Sequence, residues 1–469
     1  MTVLVIDAGS SSVRVLLTDQ AGKPLPGGVA RRDHQFDAHA TADAIHLREL
    51  TEACIDDALK HPQAHTITAV GMAVFVGNLL GVDDNGTPHT RLLTYADTRS
   101  HPDAAALRDE YDLATVHQRT GCRIHAAYHP AKLRWLHRTQ SQTVARVRQW
   151  TDFATYCYRV WFGRAVPCSY SVAAWSGLFD RHALVWDTAW LAALGLSVDD
   201  LPPLADFDAS QTGLAPAYAD RWPAVRGIPF YLAVGDGAAA NIGSGGTDTT
   251  RPVLTVGTTA ALRVVTEHPG LTPTGLWAYR VDARRHLVGG ATSEGGNIFA
   301  WARHTLRLNT AAIDRELIQR VPGSHQLTAL PLLAGERSPG YIAEATGTLH
   351  GLQLTTSGLD ILHALLEGVA LRLRLVYDLM NRPGEIVLAG GGALSASPAW
   401  AQIIADALRV PLHLVDAPEA TGRGVALLVT GQSAAPPIAR TIAPRPQYAD
   451  HMHDLLDRHR QFYRSLWGE

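Results

Sequence analysis

Two stretches half a chain apart follow one pattern, and any fold for this chain must accommodate both. Residues 3–19 read Val-Leu-Val-Ile-Asp-Ala-Gly-Ser-Ser-Ser-Val-Arg-Val-Leu-Leu-Thr-Asp, two apolar runs rich in β-branched residues around a Gly and three hydroxyls. That is the pattern of a β-hairpin with a polar tip. Residues 253–266 read Val-Leu-Thr-Val-Gly-Thr-Thr-Ala-Ala-Leu-Arg-Val-Val-Thr. Gly257 stands in the place of Gly9, Thr258 and Thr259 in that of the serines, and Arg263 in that of Arg14, with one extra residue before the arginine. In the first copy Gly9 lets a ligand approach the backbone, while Ser10, Ser11 and Ser12 supply N–H and O–H donors, a concavity that suits phosphate. Asp7 sits at the mouth, where a carboxylate would hold a hydrated Mg²⁺. Either stretch alone also reads as an ordinary hairpin with a polar turn. Their recurrence suggests a duplicated domain gripping one polyphosphate from both sides.

On these two hairpins the chain resembles the FGGY family of carbohydrate kinases, in which they are the phosphate loops. The resemblance implies an α/β fold of two actin-like (ribonuclease-H-like) ATPase domains with a cleft between them. It also implies a kinase that uses ATP and Mg²⁺ to phosphorylate a sugar hydroxyl. The Gly- and Thr-rich segment 243–252 is the hinge candidate, giving an N-terminal sugar- and phosphate-binding domain over 1–246 and a nucleotide-binding domain over 247–469.

Composition narrows the alternatives. A chain of 469 residues, 46% hydrophobic and 18% charged, has material for two or three domains with a sizeable core. A net charge of -3 gives no reason to expect nucleic acid or a membrane surface as partner. Lys23, Lys60 and Lys132 are the only lysines, and none lies in a Gly-x-x-x-x-Gly-Lys-Ser/Thr frame, so a P-loop is excluded. His-Arg-Asp and Asp-Phe-Gly are absent, which excludes the protein-kinase set. Cys54, Cys122, Cys157 and Cys168 have neither close pairing nor metal-ligand spacing and read as buried thiols of a cytoplasmic protein. No apolar run reaches the ~18 residues of a membrane span. Nothing in the sequence decides between a monomer and a homodimer.

Further along, periodicity predicts a helix over 40–59 and a strand over 67–80. The segment Gly235-Asp236-Gly237-Ala238 follows the strand predicted at Phe230–Val234 and opens a helix. Glycines on both sides leave the Asp236 carboxylate open to a ligand, although an N-cap would explain it too. In the resembled family this block holds the catalytic base. Gly390-Gly391-Gly392 links a strand to a helix capped by Ser397 with Pro398 at its first position, which exposes amides at a helix N-terminus. The resemblance makes Gly391 and Gly392 part of the adenosine site. The Pro-rich 434–446 reads as a linker to a final amphipathic helix, and His451 and His453 on that helix as surface residues.

The substrate wall follows from the resemblance. Segments 117–122, 128–136 and 166–178, with 287–301 and 332–339 later on, look like the gluconokinase branch. Where that branch carries a His, this chain has Phe75-Val76-Gly77-Asn78, so Gly77 leaves space and Asn78 would replace the lost hydrogen-bonding group. Tyr95 occupies the position of the aromatic that packs on the sugar. Asp97 and Arg99, beside it, read as a structural ion pair or as direct sugar contacts. Lys132 would project toward a substrate carboxylate, unless it is simply solvated. Gluconate is therefore the leading acceptor, with a ketopentose (xylulose or ribulose) or a polyol next. An actin- or chaperone-like ATPase is the alternative of a different class.

Overall fold

The computed structural model describes residues 1–306, 308 and 312–468. In the first sheet β1 (Thr2–Ala8), β2 (Ser12–Thr18) and β3 (Pro24–Asp33) run antiparallel. β4 (Ile67–Val74) lies parallel to β1 on its other side, and β5 (Val234–Gly235) parallel to β4. The second sheet contains β6 (Val253–Val256), β7 (Ala260–Thr266), β8 (Trp277–Arg280), β9 (His286–Thr292), β10 (Val387–Gly390), β11 (Leu412–Val415) and β12 (Ile438–Ile442), ordered β8-β9-β7-β6-β10-β11-β12. Each sheet therefore has a hairpin (β1–β2, β6–β7) with antiparallel pairing on one flank and two parallel strands on the other, and in the second sheet the antiparallel β12 follows at the edge. β1 is buried along its whole length, which is why it reads as a continuous apolar run rather than an alternating one.

Among the helices are α1 (Ala44–Ala58), α2 (Leu113–Thr120), α3 (His129–Thr139), α4 (Phe153–Phe162) and α5 (Asp236–Gly243), then α6 (Gly296–Thr305), α7 (Gly358–Leu379), α8 (Gly392–Ala396), α9 (Pro398–Leu408), α10 (Ala420–Thr430) and α11 (Ala449–Trp467). Polar caps set several starts: the Asp43 carboxylate accepts from the Ile45 and His46 amides, and Ser397 Oγ accepts from Trp400 N. The aromatics of α4 build core, with Trp161, Tyr156 and Tyr158 almost fully buried. All four cysteines are free and buried, and His451 and His453 are exposed.

Two large hydrophobic cores and a small third cluster form, the first core reaching Val265, Trp277, Tyr279 and Leu287 of the second sheet, and α10 breaks sequence order. It puts Val425, Ala426, Leu427, Leu428 and Val429 into the first core, against β1 and β4 and alongside α5. β8, from the second sheet, packs on α2 and the loop after it: His117 Nε2 is 2.8 Å from Leu276 O, and Ala278 N donates to Gly121 O at 3.0 Å. These contacts tie the halves together.

Several expectations need correction. The segment 434–446 is no free linker, because Ile438–Ile442 between its prolines forms β12 at the edge of the second sheet, where flanking prolines cost no ladder bonds. The triple glycine leads first into the five-residue α8 and only then into α9. The strand expected at Phe230–Val234 shrinks to Val234–Gly235, with Phe230 making isolated bridges to Val70 and Gln211.

Candidate active site

Both hairpin tips turn their carbonyls inward. Ser12 O accepts from Gly9 N at 3.0 Å, Ser11 O from His34 N at 3.0 Å, and Gly9 O lies 2.9 Å from His34 Nε2. In the second tip Thr259 O accepts from Gly257 N at 2.9 Å, Gly257 O from Gly296 N at 2.6 Å and Thr258 O from Asn297 N at 3.2 Å. With the acceptors occupied, each tip presents donors. Ser11, Thr258 and Thr259 are exposed and Ser10 and Gly257 half-exposed, while Ser12 is buried as the first residue of β2. Such a rim suits an anion. Near the second tip, Gly392 is exposed with no atom within 4 Å of where a Cβ would stand, as is also true of Gly257. Gly391 has another duty: its φ is +107°, and a Cβ there would stand 2.3 Å from Val256 O, so it holds the turn against β6.

Asp7 and Asp236 stand at the same end of the first sheet's strands, since Ala8 and Gly235 both pair with Val74 of β4. Asp7 is buried, and its Oδ2 lies 2.9 Å from Arg14 Nη2. Burial pushes its carboxyl up to about 7, opposed by Arg14 and reinforced by Asp236 and Glu419. Arg14 also reaches Glu419 Oε2 through Nη1 at 3.0 Å. In this arrangement the two terminal nitrogens of Arg14, the arginine of the first hairpin, are both held by carboxylates. Asp236 is the first residue of α5 and accepts from its neighbour Gly237 N at 2.7 Å. Burial pushes its carboxyl up to about 6, against the Gly237 amide and the Arg263 guanidinium. Arg263 comes from β7 in the other half, and its buried Nε has no partner among the described residues. Burial draws its guanidinium down to about 10, with Asp236 pulling the other way. Thus each half sends one charged group to this place, with Arg263 Nε 3.7 Å from where a Cβ on Gly237 would stand. Sequence reasoning paired Arg263 with Arg14 but gave it no role, and it missed Glu419, whose partner lies 405 residues away.

At the substrate wall the structure separates the candidates. Gly77, at φ +69°, has its open side 3.2 Å from Tyr95 Cβ, and Tyr95 is 43% exposed, so these two stand together at the surface. Phe75 is corrected to core: it is fully buried, with its ring packed between Phe36 and Phe153. Asn78 is corrected likewise, because its amide nitrogen donates to Phe75 O at 2.5 Å and its Oδ1 accepts from Phe153 N at 2.7 Å, stapling the wall to α4. Lys132 neither faces a substrate nor lies in solvent. It is buried, donates to Ala126 O, and is drawn down to about 7 by burial, with Asp97 opposing and Arg99 assisting. Asp97 and Arg99 form the ion pair, at 3.0 and 2.6 Å, with Arg99 lying over Trp135. Trp175, which sequence reasoning left unassigned, lies against the glycines on both sides of Asp236. Only the folded chain brings it there.

Models of the FGGY family of carbohydrate kinases match this chain over residues 2–243 for the N-terminal domain and 253–430 for the C-terminal domain. The gluconokinase of Bacillus subtilis (strain 168) is 25% identical over 447 residues, covering 91% of this chain and 86% of that protein. Among solved structures, a ligand-bound xylulose kinase from Lactobacillus acidophilus superposes with a TM-score of 0.91 at 21% identity, covering 99% of this chain and 98% of the other. A gluconate kinase from the same organism superposes with a TM-score of 0.90 at 21% identity and the same coverage. The likeness confirms the two-domain actin-like architecture.

Proposed function

Because the chain belongs to the FGGY family of carbohydrate kinases and is therefore a sugar kinase, we propose that it transfers the terminal phosphoryl group of ATP to a hydroxyl of gluconate. Residues 1–246 would bind the acceptor and the phosphates and residues 247–469 the nucleotide, with α10 lent back to the first core. The observation that carries this reading is the convergence of Asp236 and Arg263, one from each half, beside two donor-rimmed hairpin tips.

Phosphoryl transfer depends on alignment and charge stabilisation more than on covalent help from the protein. Ser10, Ser11 and the Ser12 backbone would receive the phosphates from one side, and Gly257, Thr258 and Thr259 from the other, with Gly392 leaving room for the nucleoside. Asp236 takes the proton of the acceptor hydroxyl as its oxygen attacks phosphorus. Arg263 would hold charge at the transferring group. Arg14 orients Asp7, and it is free to join the phosphates only by leaving Glu419. Asp7 fits a water-held Mg²⁺: its carboxyl is pushed up first by burial and further by Asp236 and Glu419, a place where a divalent cation would favour the charged form. That ion, when bound, would neutralise phosphate charge. Gly77 and Tyr95 would line the acceptor.

Gluconate is favoured because a relative of that name matches along nearly the whole chain. A ketopentose remains the second reading, favoured by the unusual wall at Gly77. Coupled ADP assays over D-gluconate, D-xylulose, D-ribulose and glycerol test the choice. The highest kcat/KM with gluconate is expected, and a ketopentose or glycerol leading would overturn it.

A further inference from the structure

Trp175 lies just beyond the short helical turn Tyr170–Ala173, in a chain segment remote from both hairpins. Its indole runs along the backbone that carries Asp236. Nε1 is 2.9 Å from the point where a Cβ on Gly235 would stand, and Cη2 is 3.2 Å from the corresponding point on Gly237. A side chain at Gly235 would collide with the ring, and one at Gly237 would crowd it. The other face of the indole stacks on Tyr279 of β8, with centroids 3.6 Å apart and planes 22° from parallel, and Tyr279 stacks in turn on Trp277 at 4.5 Å. The Tyr279 hydroxyl is tied to that of Tyr128 at 2.5 Å. The ring is thus fixed by a column of aromatics that joins the two halves. Yet Nε1 itself is buried and has no hydrogen-bond partner among the described residues.

A buried N–H without a partner is a rare and costly feature, and an indole can only donate. Val76, whose Cγ1 also stands 2.9 Å from the Gly235 position, offers the site no polar group on that side. We propose that Trp175 is an acceptor-binding residue, donating its N–H to a substrate oxygen next to the hydroxyl that Asp236 deprotonates. The inference rests on the sugar-kinase reading but not on which sugar is used. It restricts the substrate class to sugars, polyols or sugar acids with an oxygen on the carbon adjacent to the phosphorylated one. It also places the selecting hydrogen bond on Trp175 instead of the corrected Asn78.

The test compares the parent enzyme with Trp175→Phe, which keeps an aromatic ring in the column and removes the donor. The acceptor is whichever of D-gluconate, D-xylulose, D-ribulose and glycerol has the highest kcat/KM with the parent, together with its monodeoxy analogues. For the full acceptor kcat/KM should fall about tenfold, mostly through KM, a loss typical of one buried hydrogen bond. The KM for ATP and the melting temperature should stay put. One deoxy analogue, already poor with the parent, should show no further loss. Unchanged kcat/KM, or an equal loss on every analogue, would overturn the proposal. If Trp175→Phe fails to fold, Trp175→3-benzothienylalanine keeps the bicyclic shape without the N–H and is read in the same way. A parent enzyme preferring xylulose would overturn the gluconate assignment alone.

Discussion

Gly243 and Gly424 meet backbone to backbone where α5 crosses α10. A Cβ on Gly243 would stand 1.8 Å from Ala420 O, and one on Gly424 would stand 1.8 Å from Ala239 O. The helix that carries Asp236 is therefore seated directly on a helix that arrives almost two hundred residues later.

No side chain can be inserted at that crossing without moving one helix. Gly424→Ala should destabilise the protein by about 3 kcal/mol or more, at the upper end of overpacking costs. Urea denaturation measures it, and a change within about 0.5 kcal/mol, the range of a surface substitution, would contradict the close crossing.

The glycines after β10 should behave oppositely to each other. Gly392 faces open space, so Gly392→Leu should leave the melting temperature unchanged and raise the KM for ATP severalfold by occupying the nucleoside's place. Gly391→Ala should lower stability, by about 1–3 kcal/mol, since it meets Val256 O at a left-handed φ. Thermal melts and ATP titrations of both variants check the pair.

Glu367 sits buried between two histidines, with His325 Nε2 at 2.9 Å and His363 Nε2 at 3.1 Å. Burial alone would raise its carboxyl, but the hydrogen bonds from His325 and His363 outweigh that and bring it down to about 2 from 4.5. A depressed carboxylate stabilises the fold above its unfolded pKa, and that stability is lost as pH falls through the folded value. Glu367→Gln should therefore cost about 2 kcal/mol at pH 7, with the gap to the parent closing between pH 4.5 and 2. These three residues are spaced for a metal ion. However, Leu327 N donates to His325 Nδ1, which leaves the proton on Nε2 pointing at Glu367. A chelator should leave the melting temperature unchanged, and a fall would show that an ion is held there.

Asp236 titrates in the opposite sense. Its carboxyl is raised from 3.8 to about 6, so the folded state is most favoured below pH 3.8 and loses that advantage as pH rises through 6. Asp236→Asn should melt at a higher temperature than the parent at pH 8 while losing turnover. In the parent, kcat/KM should climb with pH through about 6.

What the sequence disclosed was local. Both hairpins, the strand-to-helix turn at Asp236, the cap at Ser397 and the buried α4 aromatics follow from residues within one element of each other, where period and turn chemistry act directly. Phe75, Asn78 and Lys132 were misread because exposure is set by what packs from elsewhere: α4 covers the first two, and the loop carbonyl of Ala126 takes the third. Trp175, Arg263 and Glu419 were missed for the same reason, each being brought to the cleft by an element far away in the chain. The prolines of 434–446 spoke for a linker, while the short run Ile438–Ile442 was enough to pair with β11.

The most direct measurement pairs calorimetric ATP binding with acceptor-dependent ADP formation in Asp236→Asn. ATP affinity should remain within a few fold of the parent, while phosphoryl transfer falls by about 100-fold or more, as expected on losing a general base. Transfer at a rate comparable to the parent's, with ATP still bound, would contradict the role given to Asp236 and the account built around it.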